Sequence, residues 1–120
     1  MRTIPAVLHI PELADEPGLV HGFSTVLLGS VGLTHATDRS AVLKSREEFA
    51  QILGLDGNTS IAVAGAVHGA DVARVHWAPA AIENVDALIT DRPGIALFTT
   101  HADCFPILLW DPVNRAVGLA

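Results

Sequence analysis

From Ser60 onward the sequence is written in short apolar runs cut by turn residues. Ser60 to Val67, Asp71 to Trp77, Asp86 to Thr90, Ile95 to Thr100, Phe105 to Trp110 and Ala116 to Ala120 alternate with punctuation such as Arg92-Pro93-Gly94 and Asp111-Pro112-Val113-Asn114. Apolar runs of this length bounded by turn formers read as strands. The longest, Ile61 to Val67, falls far short of the roughly 20 residues needed to span a bilayer. Half of the 120 residues are apolar and 17% are charged, which excludes wholesale disorder.

The first half is less regular. Thr3 to Ile10 reads as an edge strand, because Pro5 cannot donate to a ladder. Pro11 to Gly18 is an acidic turn region, Leu19 to Leu28 is strand-like, and Gly29 to Thr34 is a small-residue loop. Ser40 to Leu53 is the clearest helix. Asp38 or Ser40 can cap it and Gly54 can stop it. Val42, Phe49, Ile52 and Leu53 recur on one face. With Ala78-Pro79 opening a connection, the expectation is one helix and about seven strands. Strands mostly follow strands directly, so the expected fold class is α/β (α+β), with mixed, largely antiparallel sheets flanked by helices in a layered sandwich.

Seven Lys and Arg against thirteen Asp and Glu leave a net charge of −6. That charge argues against nucleic acid and anionic membrane as partners. Arg2 is the only basic residue before a short, Pro-interrupted apolar stretch, which is not a signal peptide. A cytoplasmic location is expected, where the single Cys104 stays reduced. The last residues, Ala116-Val117-Gly118-Leu119-Ala120, are apolar, whereas domain ends usually trail into polar residues. They read as a strand cut before its finish, with an exposed edge available for self-association.

Three clusters could carry chemistry. Val67-His68-Gly69-Ala70-Asp71-Val72 puts a His at the end of an apolar strand. It is either a hydrogen-bonded strand-end His or a ligand or base. Thr99-Thr100-His101-Ala102-Asp103-Cys104-Phe105-Pro106 packs His, Asp and Cys between two apolar strands. Asp103 could orient a His, and Cys104 could bind a soft metal or attack an electrophile; equally, Cys104 fills a core and Asp103 forms a turn. His21-Gly22-Phe23-Ser24-Thr25 is the weakest of the three. A Walker loop, a Gly-x-Ser-x-Gly elbow, His-Glu-x-x-His and Cys-x-x-Cys are all missing from the sequence.

The order of words from His68 to Ala120 resembles the laccase-domain family, also known as multicopper polyphenol oxidoreductases and as purine nucleoside phosphorylases. The words are Val67-His68-Gly69 with Asp71-Val72, Val85-Asp86-Ala87-Leu88-Ile89-Thr90, Pro93-Gly94, and Ala102-Asp103-Cys104-Phe105-Pro106 running on to Trp110-Asp111-Pro112. His21-Gly22-Phe23-Ser24-Thr25 is similar to the family's opening strand. There Val26-Leu27-Leu28-Gly29-Ser30 replaces the usual Arg and Gly-Gly-Val-Ser loop. Arg46 matches an Asn-Arg pair at a helix start, with Ser45 in place of the Asn, and is thereby a candidate substrate contact.

The resemblance implies a single laccase-like domain over residues 1–120, truncated at its C-terminus, and a metal, usually zinc, held by His68, Cys104 and a second His. That second His opens a His-Ala-Gly-Trp-Arg-Gly motif beyond Ala120. Imidazole and thiolate suit zinc, with a fourth position left for water or substrate. Copper is the poorer match. A multicopper oxidase needs many His in close pairs, and none of the six here are two residues apart; Met1 is a poor axial ligand. The implied reaction is phosphorolysis of adenosine, inosine or guanosine, with adenosine deamination as a second activity. Purine nucleoside and phosphate are then the partners, and Cys104, His68 and Asp103 the catalytic candidates. Two other readings stand beside it. One is a degenerate paralogue or inactive fragment acting as a metal-binding or association module. The other is a cysteine hydrolase using Cys104 as nucleophile and His68 as base.

Overall fold

The structure, a computed structural model, describes residues 3–120; Arg2 and Met1, weighed above, lie outside them. The chain forms two compact units, one ending at Asp56 and the other Gly57–Ala120.

In the first unit β1 (Val7–Leu8) pairs antiparallel with β2 (Phe23–Ser24). Both strands are shorter than their apolar runs. After Ile10 the chain enters a 3₁₀ turn at Pro11–Leu13. At the other end, the Thr25 hydroxyl donates to the Pro5 carbonyl at 2.7 Å and accepts from the Leu27 N–H. That local bonding competes with a strand, and a second 3₁₀ turn follows at Val26–Leu28. The expected strand from Leu19 to Leu28 is thereby reduced to two residues.

The helix α1 spans Arg39–Ile52. Asp38 caps it: its Oδ1 accepts the Ala41 N–H at 3.1 Å and the Ser40 hydroxyl at 2.8 Å. The Ser40 bond first, and the Ala41 bond second, hold the Asp38 carboxyl below its usual pKa. Gly54, at φ +75°, takes the left-handed position that ends the helix, and the Leu55 N–H bonds the Ala50 carbonyl. Val42 and Phe49, two turns apart, are buried, whereas Ile52 is half exposed.

The second unit holds β3 (Ser60–Gly65), β4 (Val72–Arg74), β5 (Ala80–Glu83), β6 (Ala87–Thr90), β7 (Ile95–Phe98), β8 (Leu108–Asp111) and β9 (Ala116–Leu119). They form a three-stranded sheet in the order β5-β3-β7 and a four-stranded sheet in the order β4-β6-β9-β8. From β3 to β8 successive strands go to alternate sheets. A parallel pair needs a crossover of a dozen or more residues, usually a helix; here a strand of the other sheet serves. Three of the six pairings among the described residues are therefore parallel, β3 with β5 and β7, and β4 with β6; three are antiparallel.

Alternation within strands sets the core. Ala62 and Ala64 of β3 meet Val75 and Leu88, with Ile82, Val85, Ile95 and Leu97 packed around them. Small side chains at Ala62 and Ala64 allow the close approach. Thr90, 3% exposed, ties the sheet to its turn: its hydroxyl donates to the Val75 carbonyl and accepts the Arg92 N–H.

One expectation is overturned. β9 is not an exposed edge. It is hydrogen-bonded to β6 on one side and β8 on the other, and Ala120 exchanges two backbone bonds with Ile107. The Asp111 carboxylate, which accepts from the N–H groups of Val113 and Asn114, tightens the β8–β9 turn and keeps the last strand inside the sheet. Edge pairing through this strand is therefore blocked, because its backbone groups are already used.

Candidate functional site

The parallel register aligns the carboxyl ends of three strands. Val63 of β3 faces Phe98 of β7, and Gly65 of β3 faces Glu83 of β5. The loop bearing His68 leaves β3, the loop bearing His101, Asp103 and Cys104 leaves β7, and Asn84 to Asp86 leave β5, all at the same edge of one sheet. In open sheets with parallel strands, ligands bind outside the carboxyl ends.

Backbone strain gathers at this edge. Among the described residues, the non-glycine residues with left-handed backbone are His68 at φ 59°, Asn84 at 61°, Asp103 at 67° and Arg115 at 52°. The first three follow β3, β5 and β7 in turn. Asn and Asp adopt this region more readily than most residues, and His less so without help. Such residues persist only where their surroundings fix them, and they cluster at functional sites.

For His68 the fixing group is Asp86. Its Oδ1 accepts the N–H groups of Val67 at 3.1 Å and His68 at 2.9 Å, and its Oδ2 accepts that of Gly69 at 2.8 Å. Its own N–H donates to the Asp71 carbonyl at 3.0 Å. Desolvation pushes the Asp86 carboxyl up, but the three N–H donors, with the His68 charge, outweigh it and leave the pKa below the usual carboxylate value.

On the neighbouring loop, Nε2 of His101 lies 2.7 Å from the Thr99 hydroxyl, and desolvation lowers its pKa. Cys104 is a free, exposed thiol. Asp103 and His68 are exposed as well. Glu83 packs its carboxylate over Gly65, where an added Cβ would lie 2.7 Å from Oε2. Arg46 is in the first unit, on α1, and its Nε donates to the Val31 carbonyl at 2.7 Å.

Asp86 and Glu83 carried no assigned role in the sequence. Asp86 lies within Val85-Asp86-Ala87-Leu88-Ile89-Thr90, but its partners lie 17 to 19 positions upstream, and no local pattern announces a carboxylate that binds backbone.

The donor chemistry of His68 and Cys104 fits zinc: an imidazole nitrogen and a thiol sulfur, on loops that leave adjacent strand ends. Among the described residues no three His, Cys, Asp or Glu side chains converge to hold an ion.

Residues 20–120 match the family model described as multi-copper polyphenol oxidoreductase laccase. The chain belongs to this family. Curated relatives include the purine nucleoside phosphorylase ORF3 of Streptomyces griseus, 44% identical over 82% of this chain and 42% of that protein. A purine nucleoside phosphorylase of Deinococcus radiodurans is 34% identical over 95% of this chain and 46% of its own length. Among solved structures, YlmD from Geobacillus stearothermophilus superposes on all of the chain and 50% of its own, with a TM-score of 0.74 at 28% identity. The hypothetical protein YfiH of Bacillus licheniformis gives 0.69 at 29% identity, covering 75% of this chain and 37% of its own.

The mixed α/β arrangement, three sheets and one α-helix among the described residues, is thus the laccase-domain arrangement, over less than half the length of these two curated relatives. No helix among the described residues is long and apolar enough to cross a membrane.

Proposed function

We propose that this chain contributes two zinc donors, His68 and Cys104, to the active site of a purine nucleoside phosphorylase. The observation that carries the reading is the shared sheet edge. Both residues sit on loops that leave neighbouring parallel strands, beside backbone held in the left-handed region. The relatives named purine nucleoside phosphorylase supply the reaction class. A third donor comes, in this reading, from a histidine in a segment beyond residue 120.

In phosphorolysis the bond between the purine nitrogen and ribose C1′ breaks, a phosphate oxygen bonds to C1′, and the purine leaves with a proton. Bound zinc supplies Lewis-acid polarisation and lowers the pKa of a coordinated group. The chain's own residues prepare the edge. Asp86 fixes the His68 loop, and the Thr99 hydroxyl, 2.7 Å from Nε2 of His101, holds that imidazole on the loop that also carries Cys104. Asp103, with a carboxylate at the start of the Cys104 turn, faces solvent where a substrate hydroxyl or amine can reach it. Adenosine deamination is a second activity for the same edge, and a cytoplasmic location completes the proposal.

The test is made on the full-length protein. Bound zinc and inosine phosphorolysis are measured for wild type, Cys104→Ala and His68→Ala. Both variants are expected to lose zinc and to fall at least about 100-fold in kcat/KM. Activity that survives Cys104→Ala unchanged sinks both the metal role and the hydrolase alternative. Zinc loss with the fold intact favours the metal role over a thiol nucleophile.

A further inference from the structure

Four hydrogen bonds from one residue grip both arms of the loop between β3 and β4. The Asp86 carboxylate takes three consecutive N–H groups, Val67, His68 and Gly69, and the Asp86 N–H takes the Asp71 carbonyl. His68, the middle one of the three donors, has left-handed backbone at φ 59°. Three donors that converge on one side chain require acceptors on both of its outer atoms. Asp meets this demand; Asn does not, since its amide nitrogen would face an N–H with hydrogens of its own. Gly69 admits the carboxylate, because a Cβ there would lie 3.2 Å from Asp86 Oδ2.

We propose that Asp86 is the positioning residue for His68, holding the 67–71 loop so that the imidazole stands at the sheet edge as a metal donor. Most partners that orient a metal-binding His bond its ring. This one acts through the His backbone, and sets the direction of the Cα–Cβ bond instead. The inference rests on the zinc-donor reading of His68 and adds the residue that makes the donor competent.

The experiment is a cobalt(II) titration of the full-length protein, following the thiolate charge-transfer and d–d absorption, paired with amide hydrogen exchange. Asp86→Asn is expected to weaken cobalt binding 10- to 100-fold and to speed exchange at Val67, His68 and Gly69 while the sheet amides stay protected. Asp86→Glu, which keeps two acceptor oxygens, is expected to recover part of the affinity. Cobalt binding by Asp86→Asn with wild-type affinity and spectrum, in a protein whose His68→Ala variant binds weakly, overturns the inference alone. Wild-type protein that binds no cobalt overturns the zinc-donor reading, and the positioning role falls with it. Should Asp86→Asn fail to fold, wild-type amides at Val67, His68 and Gly69 that exchange as freely as an open loop also overturn the inference.

Discussion

The Ile10 N–H donates to Nε2 of His21 at 2.8 Å, so that nitrogen must carry a lone pair in the folded chain. His21 is 7% exposed, and the His9 ring stands edge-on to it at 5.4 Å. Burial first, and the charge of His9 second, push the His21 pKa below its ordinary 6.5. A histidine whose folded pKa lies below its unfolded value contributes stability that is present above the unfolded pKa. That stability is lost as pH falls through the folded pKa. The urea midpoint of the first unit is therefore expected to drop as the pH is taken below about 6.5. His21→Gln, whose side-chain oxygen accepts at every pH, should flatten that drop. Identical pH profiles for the two proteins would remove His21 as the cause.

Gly22, next in sequence, has no room for a side chain. A Cβ there would lie 2.6 Å from Val7 Cγ1 and 2.7 Å from Leu53 Cδ2. Val7 is buried and β-branched, so it yields less readily than a long flexible side chain. Gly22→Ala should cost about 1–3 kcal/mol by overpacking. Equilibrium denaturation checks this, and a Leu53→Ala background should return part of the loss.

Thr90→Val keeps the shape and removes the hydroxyl. The Val75 carbonyl and the Arg92 N–H then lose a partner, at a cost of about 1–3 kcal/mol. Thr90→Ser keeps the bonds and should lose less. A Val variant as stable as wild type would show that water replaces the hydroxyl.

Arg46 separates two roles cleanly. Its Nε holds the Val31 carbonyl, so Arg46→Met should cost about 1 kcal/mol and speed proteolysis within residues 29–34. The family resemblance implies a second role, as a substrate contact. If so, kcat/KM falls well beyond what the loss of folded protein accounts for. A fall in stability alone would leave Arg46 as an anchor for that loop.

Local features were the ones legible in the sequence. Asp38 and Gly54 bracket α1 because capping and left-handed stops act over a few residues. The positions of β3, β4, β6, β7, β8 and β9 follow from apolar runs and turns, though the runs overshoot their strands at one end or both, and β8 extends one residue past its run, to Asp111. β5 went unseen. Ala80-Ala81-Ile82-Glu83 has weak strand propensity, and its pairing with β3 supplies what the sequence lacks. The parallel pairings were also illegible, because direct strand succession favours hairpins unless the chain changes sheets. At the site, His68 and Cys104 stood out by residue type. The clamp from Asp86 and the strained backbone at Asn84 depend on distant register and had no signature in the chain.

The alternation of strands between two sheets has a consequence for how the second unit comes together. Apart from the β8–β9 hairpin, every ladder encloses a stretch of chain that belongs to the other sheet. Loop closure is unrewarded until both sheets are present, which delays the gain from any one pairing. Neither sheet is then a stable stopping point, and the unit behaves as one cooperative block. Amides of β3 and β6 should open at the same free energy in native-state exchange, and a single chain break between β4 and β7 should unfold both sheets together.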